Sequence, residues 1–196
     1  MPAMKNIAVF LDRDGTINED KGYIGRPEDV VLIDGVSSAI RTLNRGGIKA
    51  IVVTNQSGVG RGFFGEPDLQ RVNERLRELL GKDGAFVDGV YFCPHRPDAF
   101  CACRKPGPLL AETASAEHAI DKASSYVVGD KEADIGLARN IGAKAVLVLT
   151  GHGREELNKT GISPDFVARD VLQAIDWIMQ DIGRDKDAAA GIRAVK

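Results

Sequence analysis

The 196-residue chain contains no run of about 18 apolar residues, so no part of it reads as a membrane-spanning helix. Its first residues, MPAMKNIAVFLDRDG, lack the long apolar core and small-residue cleavage site of a secretory signal. A cytoplasmic protein is expected. Neither sign of charge dominates: 26 basic and 28 acidic residues are well mixed and leave a formal net charge of -2. That balance argues against nucleic acid or an anionic membrane as a partner, although a local basic patch can still hold a small anion. Cysteine is scarce. Three residues cannot all pair, and a cytoplasmic chain has little use for disulfides, so the thiols call for another role. Internal repeats and low-complexity linkers are missing too. What remains is a chain long enough to bury roughly 70% of its unfolded surface. One domain is expected over residues 1–182. Residues 183–196 show no core pattern and are expected to form a frayed or disordered tail.

Against these absences, short β-branched runs alternate with amphipathic stretches. NIAVFLD (6–12), KAIVVTN (49–55), GVYF (89–92), SYVVGD (125–130) and AKAVLVLT (143–150) read as strands. Most are apolar throughout, as strands buried on both faces are. Residues 36–47, 66–84, 108–120, 132–143 and 171–182 carry helical patterns. Within 66–84, Leu69, Val72, Leu76 and Leu79 or Leu80 share one face. The alternation predicts an α/β fold, a three-layer Rossmann-like parallel sheet with helices on both faces.

In open parallel sheets, ligands bind beyond the carboxyl ends of the strands. The informative residues are therefore Asp12, Arg13 and Asp14, then Thr54, Asn55 and Gln56, then Cys93 and His95, then Asp130 and Lys131. Along an extended backbone, residues i and i+2 project to one side. Asp12 and Asp14 should then share a site, with Arg13 turned away and without chemistry. Taken alone, the pair reads equally well as a capping Asp and a turn Asp. With Asp130 at the end of another buried strand, the carboxylates together suit Mg²⁺, a hard cation that takes oxygen ligands.

FLDRDGT, VVTNQSG, CRKPGP and VVGDKEAD, in that order over residues 10–134, resemble the four motifs of the haloacid dehalogenase superfamily of phosphatases. The resemblance implies that fold and a role for each residue. Asp12 would be the nucleophile that forms an aspartyl-phosphate. Asp14 would be the general acid and then the base. Thr54 would hydrogen-bond the phosphoryl oxygens, and Lys105 would bring positive charge to the nucleophile and the transferring group. Mg²⁺ would be held by Asp12, Asp130 and the main-chain carbonyl of Asp14, with Asp134 behind these ligands and Lys131 nearby. Phosphoryl transfer is catalysed mostly by positioning and charge neutralisation, which this set can supply. Only about twenty residues separate the Gly15-Thr16 turn from the first helix, too few for a large cap domain.

CPHRPDAFCAC places all three cysteines and His95 within eleven residues. Cys93, His95, Cys101 and Cys103 suit tetrahedral, structural Zn²⁺, which would pin the loop leading into Arg104 and Lys105. The alternative is a set of buried free thiols. His118 and His152 read as ordinary helix and loop residues.

The zinc loop resembles the subgroup that holds D,D-heptose 1,7-bisphosphate phosphatases and histidinol-phosphate phosphatases. TNQSGVGRGFF with NEDKGYI is similar to the heptose-bisphosphate pattern. The resemblance implies a phosphorylated sugar as substrate and removal of the C7 phosphate. Histidinol phosphate is the alternative; a polynucleotide 3′-phosphatase and a phospho-aspartate receiver are less favoured. Without a cap, loops must select the substrate. Asp20 and Tyr23 are candidates for sugar hydroxyls, Arg61 and Arg104 for a second phosphate. Asn55, Gln56 and Ser57 complete the expected substrate contacts. A monomer suffices for this chemistry.

Overall fold

The computed structural model describes residues 6–159, 161 and 163–193, with side chains as far as Arg184. The chain runs β1 (Ala8–Leu11), α1 (Val36–Arg45), β2 (Lys49–Asn55), α2 (Ser57–Gly60), α3 (Glu66–Lys82), β3 (Gly89–Cys93), α4 (Leu109–Glu117), β4 (Tyr126–Gly129), α5 (Glu132–Ile141), β5 (Lys144–Val148), α6 (Gly153–Glu156), β6 (Phe166–Ala168) and α7 (Val171–Arg193). All six strands lie parallel in one sheet of order β3-β2-β1-β4-β5-β6. This is the α/β parallel sheet expected from the alternating pattern.

The all-apolar strands feed two cores. Val9, Leu11, Val52, Val128 and Val146 pack with Ile40 and Leu43 of α1, Val72 and Leu76 of α3, and Ile175 and Ile178 of α7. The alternate strand residues Ala8, Phe10, Ile51, Val53, Val127 and Leu147 pack with Ala111 and Ala114 of α4 and Ile135 and Ala138 of α5. Each buried Val, Leu or Ile contributes about 1.5–3 kcal/mol. This is why no strand shows polar alternation.

The order of the strands reverses between β1 and β4, the position where open sheets bind their ligands. The two strands pair directly, Leu11 against Val128, and the Asp12 amide donates to Val128 O at 2.9 Å. Asp12 and Asp130 therefore leave the sheet side by side. The segment between β1 and α1 contains a single 3-10 turn, Pro27–Asp29, as an uncapped core requires.

Two features go beyond the sequence pattern. The sheet has a sixth strand, β6, whose three residues are too few to show a period. It pairs with β5, and its Phe166 stacks on Trp177 of α7 at 4.8 Å. The last helix does not stop at 182 but continues to Arg193, so residues 183–193 are helical where a frayed tail was expected. DKDAAAG holds no proline and three alanines, the best helix former, so the local sequence favours continuing the helix. Residues 194–196 lie outside the described residues.

Candidate active site

β1 delivers Asp12 and β2 delivers Thr54, both buried. Lys105 approaches from the loop before α4. Its Nζ lies 2.6 Å from Asp12 Oδ1, 2.6 Å from Val53 O and 2.6 Å from Asp134 Oδ1. Burial by itself would lower the lysine pKa; the Asp12 and Asp134 carboxylates outweigh it and hold it above its ordinary value. Asn55, expected at the substrate, instead holds the lysine's own backbone. Its Oδ1 accepts from Lys105 N at 3.0 Å and its Nδ2 donates to Lys105 O at 3.2 Å.

Carboxylate oxygens of Asp12, Asp130 and Asp134 lie within 4.8 Å of one another. Asp130 is fully buried. Its Oδ2 accepts from His152 N at 2.8 Å, while its Oδ1 has no hydrogen-bond partner among the described residues. Burial and then the charge on Asp12 push its carboxyl up to about 7. Burial likewise pushes Asp134 up to about 6 against the pull of Lys105. Gly15 and Gly151, both at positive φ, make the floor of this cradle. A Cβ on either would land on Asp130 Oδ2. Thr150 Oγ1 ties the floor together by donating to Gly15 O at 2.6 Å. An orphaned buried oxygen beside two further carboxylates fits a hard divalent cation. Asp134 lies beside the other two carboxylates, with Lys105 Nζ 2.6 Å from its Oδ1. It also caps α5 by accepting from Lys131 N at 3.1 Å.

The Asp14 carboxylate takes a separate place. β1 ends at Leu11, and the Arg13 carbonyl accepts from the amides of Thr16, Ile17 and Asn18, so the chain turns and strand alternation lapses. Asp14 Oδ1 accepts from Arg13 Nε at 3.1 Å and Asn18 Nδ2 at 2.9 Å. Its Oδ2 accepts from Arg13 Nη2 at 2.9 Å and Gln56 Nε2 at 2.7 Å. Gln56 also donates to Thr54 Oγ1 at 2.9 Å, which links Asp14 to the β2 end. Arg13, assigned no chemistry from sequence, is therefore the partner of Asp14. Gln56, expected to meet substrate, is occupied by the same network. The signal for Arg13 was present in a charged residue at a buried strand end, but the i, i+2 argument assigned it to the far side.

The expected specificity residues are dispersed around the mouth. Asp20 Oδ2 is engaged by Lys131 Nζ at 2.9 Å and faces His152 Nε2 at 3.4 Å. Arg61 lies 5.9 Å from the centre of the half-exposed Tyr23 ring, which meets Phe63 edge-on at 4.8 Å. Phe63, not foreseen, completes an exposed aromatic rim. Ser57 opens α2, and Arg104 Nη1 reaches His95 O at 3.5 Å.

Cys93, His95, Cys101 and Cys103 converge beyond β3. Cys103 Sγ lies 3.0 Å from Cys93 Sγ and 3.5 Å from Cys101 Sγ, and 3.1 Å from His95 Nδ1. No disulfide joins them. A tetrahedral zinc with bonds of about 2.3 Å to sulfur sets ligand edges of about 3.7 Å; the 3.5 Å gap approaches that edge and the 3.0 and 3.1 Å gaps are shorter.

Parallel sheet, switch-point carboxylates and a buried lysine define a haloacid dehalogenase-like hydrolase, and the family model described as HAD-hyrolase-like matches residues 102–174. The D-glycero-beta-D-manno-heptose-1,7-bisphosphate 7-phosphatase of Escherichia coli (strain K12) is 44% identical over 184 residues, 89% of each chain. The D-glycero-D-manno-heptose-1,7-bisphosphate 7-phosphatase of Thermosynechococcus vestitus is 40% identical over 189 residues, 89% of this chain and 96% of the relative. Among solved structures, the D,D-heptose 1,7-bisphosphate phosphatase from B. bronchiseptica, complexed with magnesium and phosphate, superposes with a TM-score of 0.85. It is 32% identical over 91% of this chain and 99% of that one. This chain belongs to the heptose-1,7-bisphosphate 7-phosphatase family of haloacid dehalogenase-like phosphatases.

Proposed function

We propose that this chain is a Mg²⁺-dependent phosphatase that removes the C7 phosphate of D-glycero-D-manno-heptose 1,7-bisphosphate. The observation that carries the chemistry is Lys105 Nζ at 2.6 Å from Asp12 Oδ1 beside the buried carboxylate trio. The substrate is supported by the names of relatives 38–46% identical to the chain. It would act in the cytoplasm in the synthesis of nucleotide-activated heptose. A monomer would suffice for this chemistry.

Asp12 attacks phosphorus and becomes an aspartyl-phosphate while the sugar oxygen leaves. Lys105 fixes the nucleophilic carboxylate and neutralises charge on the transferring group. Thr54 offers its hydroxyl to the phosphoryl oxygens. Asp14 protonates the leaving oxygen and then takes the proton of the attacking water. Asp12, Asp130 and the Asp14 carbonyl would hold Mg²⁺, which would supply positive charge to offset the repulsion between nucleophile and phosphate. Zn²⁺ on Cys93, His95, Cys101 and Cys103 would anchor the loop that carries Arg104 and Lys105.

Steady-state kinetics on heptose 1,7-bisphosphate and histidinol phosphate test the assignment. A higher kcat/KM is expected for the heptose ester. The reverse order would replace this substrate with histidinol phosphate.

A further inference from the structure

Arg13 is only 1% exposed and ranks among the largest fully buried side chains. Its guanidinium grips both oxygens of Asp14, through Nε at 3.1 Å and Nη2 at 2.9 Å. Nη1 donates to Asn73 Oδ1 of α3 at 3.1 Å, and Nη2 also donates to Gln56 Oε1 at 3.0 Å. A planar fork on both carboxylate oxygens fixes the plane of that group as well as its charge; an ammonium would fix only the charge.

We propose that Arg13 is a positioning residue. It sets the carboxylate plane of Asp14 for proton transfer, and α3 holds Arg13 in place through Asn73. The proposal rests on the acid–base role given to Asp14 above. In the first half-reaction an Asp12 oxygen bonds to phosphorus, the ester P–O bond breaks, and the leaving oxygen takes a proton from Asp14. In the second, water oxygen bonds to phosphorus, the Asp12–phosphorus bond breaks, and Asp14 takes the water proton.

Leaving groups separate positioning from folding. p-Nitrophenolate departs without a proton, whereas a sugar alkoxide needs one. The test is single-turnover cleavage, with enzyme in excess, of heptose 1,7-bisphosphate and of p-nitrophenyl phosphate. Arg13→Lys should slow release of the sugar on the order of 10²-fold and Asn73→Ala about 10-fold, fractions of a general-acid contribution. Both should release nitrophenolate at the wild-type rate. If Arg13→Lys does not fold, Asn73→Ala decides by the same comparison. Equal losses on the two esters, or none on either, make Arg13 a purely structural residue and overturn the proposal alone. A wild-type protein that cleaves neither ester overturns the phosphatase reading and this proposal with it.

Discussion

Replacing Lys105 by methionine keeps a side chain of similar length and removes its charge. The lysine side chain is 3% exposed, and those of Asp12 and Asp134 are 7% and 2% exposed. Its raised pKa keeps the ammonium charged throughout neutral pH. Methionine would strand two buried carboxylates next to each other. Removing one partner of a buried pair costs about 3–5 kcal/mol, because the charges left behind stay out of water. Against a typical total stability of about 5–15 kcal/mol, that is a large fraction. With a urea slope of about 2 kcal/mol/M, the unfolding midpoint should drop by about 1.5–2.5 M. The assay is urea unfolding followed by circular dichroism at pH 7 in the presence of a chelator. Wild type, Lys105→Met, Asp134→Asn and the double variant complete a cycle. The double variant leaves only one stranded charge, so the lysine substitution should cost less in that background. A Lys105→Met midpoint within about 0.5 M of wild type would refute the reasoning. It would mean that water screens these groups as it does a surface pair, worth about 0–1 kcal/mol.

Two further predictions concern the metals. With its carboxyl pushed up to about 7, metal-free Asp130 keeps a proton that the unfolded chain has lost above about pH 4. The native state then binds more protons, so stability should fall as pH rises from about 4 to 7. Asp130→Asn should flatten that slope and abolish the thermal upshift produced by Mg²⁺; if slope and upshift both survive, Asp130 is not the metal's anchor. In the cysteine cluster, burial would raise the Cys101 thiol, but hydrogen bonds from Cys103 and Cys93, the Arg104 backbone and His95 bring it down to about 7. Burial holds Cys93 and Cys103 above their ordinary value. Metal-free protein treated with iodoacetamide should be labelled first at Cys101. Zinc should suppress labelling of all three, and equal mass-spectrometric labelling with and without it would remove the zinc reading.

The fold was legible because its signals are local. Five of the six strands are apolar runs ending in polar residues, and the motif residues follow those ends closely enough for position in sequence to give position in space. β6 escaped because three residues do not make a pattern, and the end of α7 because DKDAAAG carries no apolar period in its sequence. Within the site, the identity of Asp12, Lys105 and Asp130 was readable, but not the pairing among them. Arg13 and Asn73 are 60 residues apart, and Asp20 and Lys131 are 111 apart. No spacing rule reaches that far. Asn55 and Gln56 were read as substrate contacts from their strand end. What they touch depended on where Lys105 and the turn after β1 arrive, which is tertiary information.

The charge arrangement follows from those pairings. Asp14 is bound to Arg13, Asp12 and Asp134 share Lys105, and Asp20 is bound to Lys131. Among the described residues, the one cation near Asp130 is Lys131, at 3.9 Å, and Asp130 Oδ1 has no hydrogen-bond partner. With all five ionised, these carboxylates would face three permanent cations among the described residues, an excess of two negative charges, and Asp12, Asp130 and Asp134 meet within 4.8 Å. A divalent cation matches that excess, whereas another lysine would leave one carboxylate unbalanced and buried. The Asp14 carboxyl of DRD does not point at Asp12, because Arg13 holds both of its oxygens within the motif itself. The repulsion that calls for a metal lies between Asp12 and Asp130, on neighbouring strands at the switch point of the sheet.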